Sequence, residues 1–273
     1  MIIPTFLKWV GGKRKILDRI DENLPKEFNS YYEPFLGGAS VFFYMKQKYP
    51  NRNFMISDIN KDLIHAYKDV RDNSKELMRY LKYFKRNNSE EFYYKIRNLF
   101  NENKINKIKR SAAFIYLNKT CFNGIWRVNS KNKFNVPYGH YKNPEIFNKE
   151  TILFASELLH GVKIVYQDYE KIKNYVEEDD FVYLDPCYDP IKKTSFANYT
   201  PKKFCDEDNE RMALFAEELN RKKVKFLFSN NITPNVERLY QKYNKIPIIC
   251  FRSVGSLGTY REFAKEYLIK NYK

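Results

Sequence analysis

The chain has 273 residues, 43% of them hydrophobic and 17% aromatic against 30% charged, which supplies the core of one large α/β domain or of a domain with a smaller inserted module. No window approaches the ~18 consecutive apolar residues that a membrane span requires, and the apolar run at "MIIPTFLKWVGGKRK" is too short for a signal peptide, so a cytoplasmic protein is expected. The net charge of +16 points to a polyanionic partner, most simply nucleic acid, although abundant Lys, Asn, Ile and Tyr also fit a lysine-rich composition bias.

In chain order, "KRKILDRIDENL" places Ile16, Leu17, Ile20 and Leu24 at helical spacing. "YYEPF" (31–35) predicts a strand ending in a turn, "GGASVFFYMKQKY" (37–49) a helix behind two glycines, and "NFMISDIN" (53–60) a second buried strand. Strand, glycine turn, helix and strand make one parallel βαβ unit. From about 60 to 121 the pattern is helical throughout, and 123–141 reads as a hairpin or ordered loop rich in Gly, Asn, Ser and Pro. Alternation then returns: a helix over 144–159, strands at 162–166 and 181–184, a helix over 206–221 and a strand at 224–229. "IPIICF" and "AKEYLIKNY" predict a closing antiparallel pair.

Several stretches carry chemistry. Gly37 and Gly38 stand at the carboxyl end of the first strand, where open α/β sheets bind ligands and where a glycine admits close approach. Asp58, at the end of the next strand, is placed to accept hydrogen bonds from two ribose hydroxyls, or else to cap the helix that follows. In "FLKWVGGKRK" (6–15) Trp9 could pack over a charged cofactor and Lys13 reach a carboxylate, unless the segment is a solvated basic terminus. "FVYLDPCYDP" (181–190) ends a buried strand on Asp185, Pro186, Cys187 and Tyr188. The Asp185 carboxylate and the Pro186 carbonyl offer two acceptors for an exocyclic amine, and Tyr188 offers a stacking face. That arrangement suits adenine N6 or cytosine N4. The other cysteines, Cys121, Cys205 and Cys250, are scattered, and His65, His140 and His160 do not cluster with them, so neither a zinc knuckle nor a redox motif is expected.

The chain resembles the Dam-type DNA adenine N6-methyltransferases. The segments that carry the likeness are "FLKWVGGK" (6–13), "YYEPFLGGASVF" (31–42), "SDIN" (57–60), "LNKTCFNGIWRVNSKNKFNVPYGHY" (117–141), "DPCY" (185–188) and the terminal "FRS…REFAKEYLIKNY". The resemblance implies a Rossmann-like class I methyltransferase sheet, mostly parallel with an antiparallel closing strand, plus a helical DNA-recognition insert. Residues 1–58 and 146–273 would bind S-adenosyl-L-methionine, and 59–145 would recognise double-stranded DNA. Position by position it implies cofactor contacts at Trp9, Lys13, Asp58 and Asp185, a glycine turn from Phe35 to Gly38 under the methionine part, and Asp168 near the cofactor adenine. Lys8 and Arg127 match base-reading positions, Phe122 and Asn123 a segment that enters the duplex beside a flipped adenine, and Pro137 a further recognition position. No metal is implied. A cognate restriction endonuclease would be a genetic rather than a physical partner, and GATC is the expected target.

One departure from the family pattern stands in the catalytic motif, where Cys187 replaces a second proline. Pro-Cys is also the nucleophile pair of cytosine C5-methyltransferases, but their Glu-Asn-Val motif is missing, so Cys187 reads as a spectator on the pocket wall. Cytosine-N4 or RNA methylation by the same pocket, and a catalytically silent DNA-binding subunit, are the alternatives.

Overall fold

Short runs of Tyr, Phe, Val and Leu, buried on both faces, build the centre of the sheet. In the computed structural model, which describes residues 1–186, 188, 206–251 and 263–273, seven strands form one sheet. They are β1 (Ser30–Glu33), β2 (Asn53–Asp58), β3 (Lys163–Tyr166), β4 (Phe181–Leu184), β5 (Lys225–Asn231), β6 (Asn244–Phe251) and β7 (Phe263–Lys270). Their order is β3-β2-β1-β4-β5-β7-β6. The pairs among β1 to β5 are parallel, and β7 runs antiparallel to both β5 and β6. The expected antiparallel closing pair is present, with β7 inserted between β5 and β6 rather than at the edge. The chain winds outward from β1 in one direction and from β4 in the other. The switch point therefore lies between the carboxyl ends of β1 and β4, where doubly wound sheets bind ligands.

The period of two along each strand sends residues to two separate cores. Tyr31, Phe54, Ile56, Phe181, Tyr183, Leu227 and Leu268 face one of them, which continues without a break into the helices α3 (Lys61–Asp72), α4 (Ser74–Arg86), α5 (Glu90–Asn101) and α6 (Lys107–Thr120). Tyr32, Met55, Val182, Leu184, Phe226 and Phe228 face the other, under α8 (Asp206–Arg221) and α9 (Pro234–Leu239). The first core runs across residue 59, from the sheet into α3. Helix starts are set by polar caps: Asn60, Ser89, Asn106 and Thr233 accept from the backbone N–H three residues on.

Two expectations shift. The helix expected from 144 begins at Lys149, because the Asn148 side chain accepts from Thr151 N–H and caps α7 (Lys149–Leu159) there. The helix expected over 13–24 is a 3-10 turn (Lys13–Ile16) followed by the short α1 (Leu17–Asp21), with a break at Ile16 (φ −122°, ψ 16°). Lys13 is drawn inward there, its N–H donating to Ser40 Oγ at the start of α2 (Ser40–Lys48).

The 121–141 stretch is the expected ordered loop. Isolated bridges Cys121–Tyr138 and Val128–Phe134 fold it back on itself. Trp126 stacks on Phe134 at 4.4 Å and lies 4.2 Å from Phe114 of α6, which fastens the loop to the helical core.

Candidate active site

β1 and β4 end alike. Each carries a buried tyrosine, a residue facing the other core, a carboxylate and a proline: Tyr31-Tyr32-Glu33-Pro34 and Tyr183-Leu184-Asp185-Pro186. Parallel pairing in register sets Glu33 and Asp185 at the same end of neighbouring strands. Lys13 reaches them from the N-terminal segment. Its ammonium lies 2.7 and 2.8 Å from the two oxygens of Asp185, donates to the Gly11 carbonyl at 2.7 Å, and stands 4.9 Å from the centre of the Tyr188 ring. The carboxylate that Lys13 meets is thus the protein's own. Burial raises the Asp185 carboxyl, and the Lys13 charge works against that rise. Glu33, only 2% exposed, is pushed well up by burial and accepts from the Tyr31 hydroxyl at 2.5 Å. Tyr188 donates its hydroxyl to Glu266 of β7 at 2.9 Å, and Tyr183 shares a hydrogen bond with Ser229 of β5.

Across the switch point the turn after β1 closes on Trp9. Gly37 has φ +45°, and a Cβ there would stand 2.7 Å from Trp9 Cδ1; one on Gly38 would meet Trp9 Cβ at 3.0 Å. The close approach that these glycines permit is that of the indole ring. Gly37 N–H donates to Asp58 Oδ2 at 3.2 Å and Asn60 N–H to Oδ1 at 2.9 Å, while Asn60, not Asp58, caps α3. Asp58 is buried, which pushes its carboxyl up to about 6 against the backbone N–H groups of Asn60, Gly37 and Ile59. Phe35 packs on Tyr169 with ring centres 5.1 Å apart. Asp168, one residue earlier, caps the turn Tyr169–Asn174 and is held at 2.7 Å by Arg211 of α8. The Tyr169 hydroxyl and the Gln167 side-chain nitrogen, both buried beside Asp168, have no hydrogen-bond partner among the described residues.

The N-terminal segment connects this centre to the loop. Asn118 of α6, wholly buried, accepts from Lys8 N–H at 2.8 Å and donates to the Lys8 carbonyl at 2.7 Å and the Gly124 carbonyl at 3.2 Å. Gly124 has φ +64°, and a Cβ there would stand 2.6 Å from Lys8 Cβ. The Lys8 ammonium sits 4.0 Å over the Tyr141 ring. Phe122 is 51% exposed, Asn123 takes a left-handed φ of 54°, and Pro137 anchors both by accepting from Phe122 N–H at 2.9 Å. Arg127 donates through Nε to Asn135 Oδ1 at 2.8 Å, which fixes the plane of its guanidinium.

The structure thus gathers Trp9, Lys13, Phe35, Gly37, Gly38, Asp58, Asp185 and Tyr188 around the ends of β1, β2 and β4, with Pro186 buried beside them. Asp168 follows β3, on the side nearer α8, and Lys8, Phe122, Asn123, Arg127 and Pro137 gather at the loop. Cys187 lies outside the described residues. Sequence reasoning passed over Glu33, Glu266 and Asn118. The repeated Tyr-x-acid-Pro was the available signal for Glu33, and a carboxylate in phase with Leu268 the one for Glu266. Among the described residues no three His, Cys, Asp or Glu are grouped to hold a metal ion, and no helix is long and apolar enough to cross a membrane.

A mostly parallel seven-stranded sheet with an antiparallel β7 and an Asp-Pro-x-Tyr motif at its switch point defines a class I methyltransferase fold. The chain belongs to the D12 class N6 adenine-specific DNA methyltransferase family, which it matches over residues 9–254, and it is an enzyme of that class. It is 43% identical to the type II methyltransferase M.MjaIII of Methanocaldococcus jannaschii, with 100% of each chain covered. It is 33% identical to the DNA adenine methylase of Escherichia coli strain K12, over 97% of this chain and 94% of that one. The DNA N-6-adenine-methyltransferase of Escherichia phage P1 is also 33% identical, over 97% of this chain and 35% of that protein.

Proposed function

We propose that the enzyme transfers a methyl group from S-adenosyl-L-methionine to N6 of an adenine rotated out of duplex DNA, within GATC. The observation that carries this is the Lys13–Asp185–Tyr188 constellation at the switch point, joined through residues 8–13 to an ordered loop with an exposed aromatic at its tip.

The residues present fit the cofactor's chemistry. It brings two ribose hydroxyls, an adenine amine and a cationic sulfonium. Among the described residues the crevice has a buried carboxylate at Asp58, polar atoms of Gln167 and Tyr169 without a hydrogen bond beside Asp168, and the carboxylates of Glu33, Asp185 and Glu266 around the Lys13 ammonium. Asp58 would accept from the ribose, Asp168 and its neighbours would face the adenine, and Trp9 with Phe35 to Gly38 would line the methionine part. When bound, the cofactor supplies an electrophilic methyl group on the sulfonium.

The protein's own contribution is positioning and electrostatics. The Asp185 carboxylate and the Pro186 carbonyl accept the two N6 hydrogens, which draws the nitrogen lone pair out of the ring and toward the methyl group. Burial strengthens these bonds and raises the proton affinity of Asp185, so the carboxylate can take the proton that N6 sheds after transfer. Tyr188 supplies the face on which the flipped base stacks. Residues 59–145 form the recognition unit. Phe122 and Asn123 fill the gap that the flipped base leaves, Pro137 shapes that loop, and Arg127 and Lys8 each read a guanine. Binding of Nε to Asn135 leaves the outer nitrogens of Arg127 for guanine O6 and N7. The enzyme works in the cytoplasm, and a restriction endonuclease of matching specificity is its genetic partner.

Transfer of labelled methyl from the donor to DNA, RNA and protein tests the reading, with sequencing of modified bases in a genome that expresses the enzyme. Methylated adenine confined to GATC in duplex DNA is expected. Asp185→Ala should lower the rate by roughly 100- to 1,000-fold. Adenine methylation elsewhere with GATC bare would remove the specificity and leave the chemistry.

A further inference from the structure

Tyr188 stands four residues beyond the last residue of β4, and a side chain of another strand holds its ring. The ring is fixed from outside. Its hydroxyl donates to Glu266 Oε2 at 2.9 Å, across 78 residues of sequence. Glu266 sits in the interior of β7, paired with Asn231 of β5 on one side and Ile248 of β6 on the other. It is 5% exposed. A buried carboxylate on a strand hydrogen-bonded along both edges is a rigid anchor, and a hydroxyl–carboxylate bond is among the stronger kinds.

Glu266 stands close enough to Asp185 to oppose that group's ionisation. What a carboxylate adds is a strong acceptor for the Tyr188 hydroxyl, with the ring face held beside Asp185.

We propose that Glu266 is a positioning residue for methyl transfer, acting through Tyr188 by fixing the plane on which the target base stacks. The proposal rests on the reading of this pocket as the adenine site. The antiparallel strand β7 is thereby part of the catalytic apparatus as well as of the sheet.

The test is single-turnover methyl transfer to a saturating duplex by the full-length enzyme and its Tyr188→Phe, Glu266→Ala, Glu266→Gln and Tyr188→Phe/Glu266→Ala variants, with KM for the duplex and thermal midpoint measured for each. Tyr188→Phe keeps the ring and loses only the hydroxyl. It should slow transfer about tenfold, the rate equivalent of ~1.4 kcal/mol, with little change in KM. Glu266→Ala should slow transfer to a similar extent, and the double variant no further, since the two side chains act as one unit. Glu266→Gln keeps an acceptor for the hydroxyl and should recover most of the loss. Tyr188→Phe at the wild-type rate, or losses that multiply in the double variant, would overturn the role of Glu266 while leaving adenine methylation standing. A wild-type enzyme that methylates no adenine duplex would overturn the assignment of the pocket, and this role with it.

Discussion

Asp58→Asn separates what burial does to this carboxyl from what its hydrogen bonds do. Two backbone N–H groups, of Gly37 and Asn60, donate to the carboxylate, yet burial outweighs them and its pKa stands at about 6 instead of 3.8. At roughly 1.4 kcal/mol per pH unit, that gap penalises the ionised folded state by about 3 kcal/mol. The folded pKa is raised, so the folded chain binds more protons than the unfolded one between pH 3.8 and about 6. Stability from this group is therefore fully present below pH 3.8 and is lost as pH rises through about 6. Glu33 and Asp185, also raised by burial, tilt stability the same way, so the informative quantity is the difference between wild type and Asp58→Asn. Urea unfolding at a series of pH values from 4 to 8 should show the variant gaining on the wild type by up to about 3 kcal/mol across that window. Cofactor binding supplies a second readout. On the proposed role of Asp58 as the ribose acceptor, which requires the ionised form, wild-type affinity should fall about tenfold per pH unit below about 6 while that of the Asn variant, weaker overall, stays flat. Parallel stability curves for the two proteins from pH 4 to 7 would refute the argument, because they would mean that the hydrogen bonds keep Asp58 ionised.

Lys13→Met leaves the carboxyl of Asp185, 19% exposed, without its ammonium, a loss below the roughly 3–5 kcal/mol of a fully buried broken pair; the thermal midpoint should drop at pH 8 and recover toward pH 5 as the carboxyl takes up a proton. Equal drops at both pH values would show that the pair does not govern the ionisation of Asp185. Gly37→Ala combines a left-handed φ of +45° with a Cβ 2.7 Å from Trp9 Cδ1, and should destabilise by about 1–2 kcal/mol from the backbone alone, more from the clash. Trp9→Ala in the same chain should recover only the second part, and thermal unfolding of the pair of variants measures both. Cys187→Ser and Cys187→Pro should keep methylating adenine; if both are inactive yet folded, and the wild type is trapped covalently on a fluorinated cytosine duplex, thiolate attack on cytosine replaces the amine mechanism.

The parts of this fold that follow local rules were legible, and those that depend on partners far along the chain were not. All seven strands stand where runs of β-formers lie between turn signals, and the helices of 61–120 follow their apolar spacing. Helix 144–159 was read five residues too long because the periodicity does not register that Asn148 caps its own helix. The 13–24 helix was overdrawn because its first residue answers to Ser40 and Asp185, not to its neighbours. At the site, Asp185 and Tyr188 were visible through their motif, and Asp58 through its place at a strand end. Glu33 was hidden inside a strand reading even though it repeats the pattern around Asp185. Glu266 showed only as a carboxylate in phase with Leu268 and Asn118 had no local signature, because the bonds that give them meaning are distant: Glu266 to Tyr188, Asn118 to Lys8 and Gly124.

The six residues from Lys8 to Lys13 bridge the loop and the strand ends. Both amide groups of Lys8 are tied to Asn118, Trp9 is wedged against Gly37 and Gly38, and Lys13 is knotted to Asp185. Between these attachments the chain turns back on itself, with Gly12 N–H donating to the Trp9 carbonyl at 3.2 Å and Gly11 at φ +82°, so the segment is a folded bridge held at three points. Gly124 of the 122–124 turn packs against Lys8 at one end of the bridge, and at the other end the Lys13 ammonium works against the rise that burial imposes on Asp185. A wrong sequence under the loop would then be felt as slower chemistry before it is felt as weaker binding, and selectivity would be written in turnover more than in affinity.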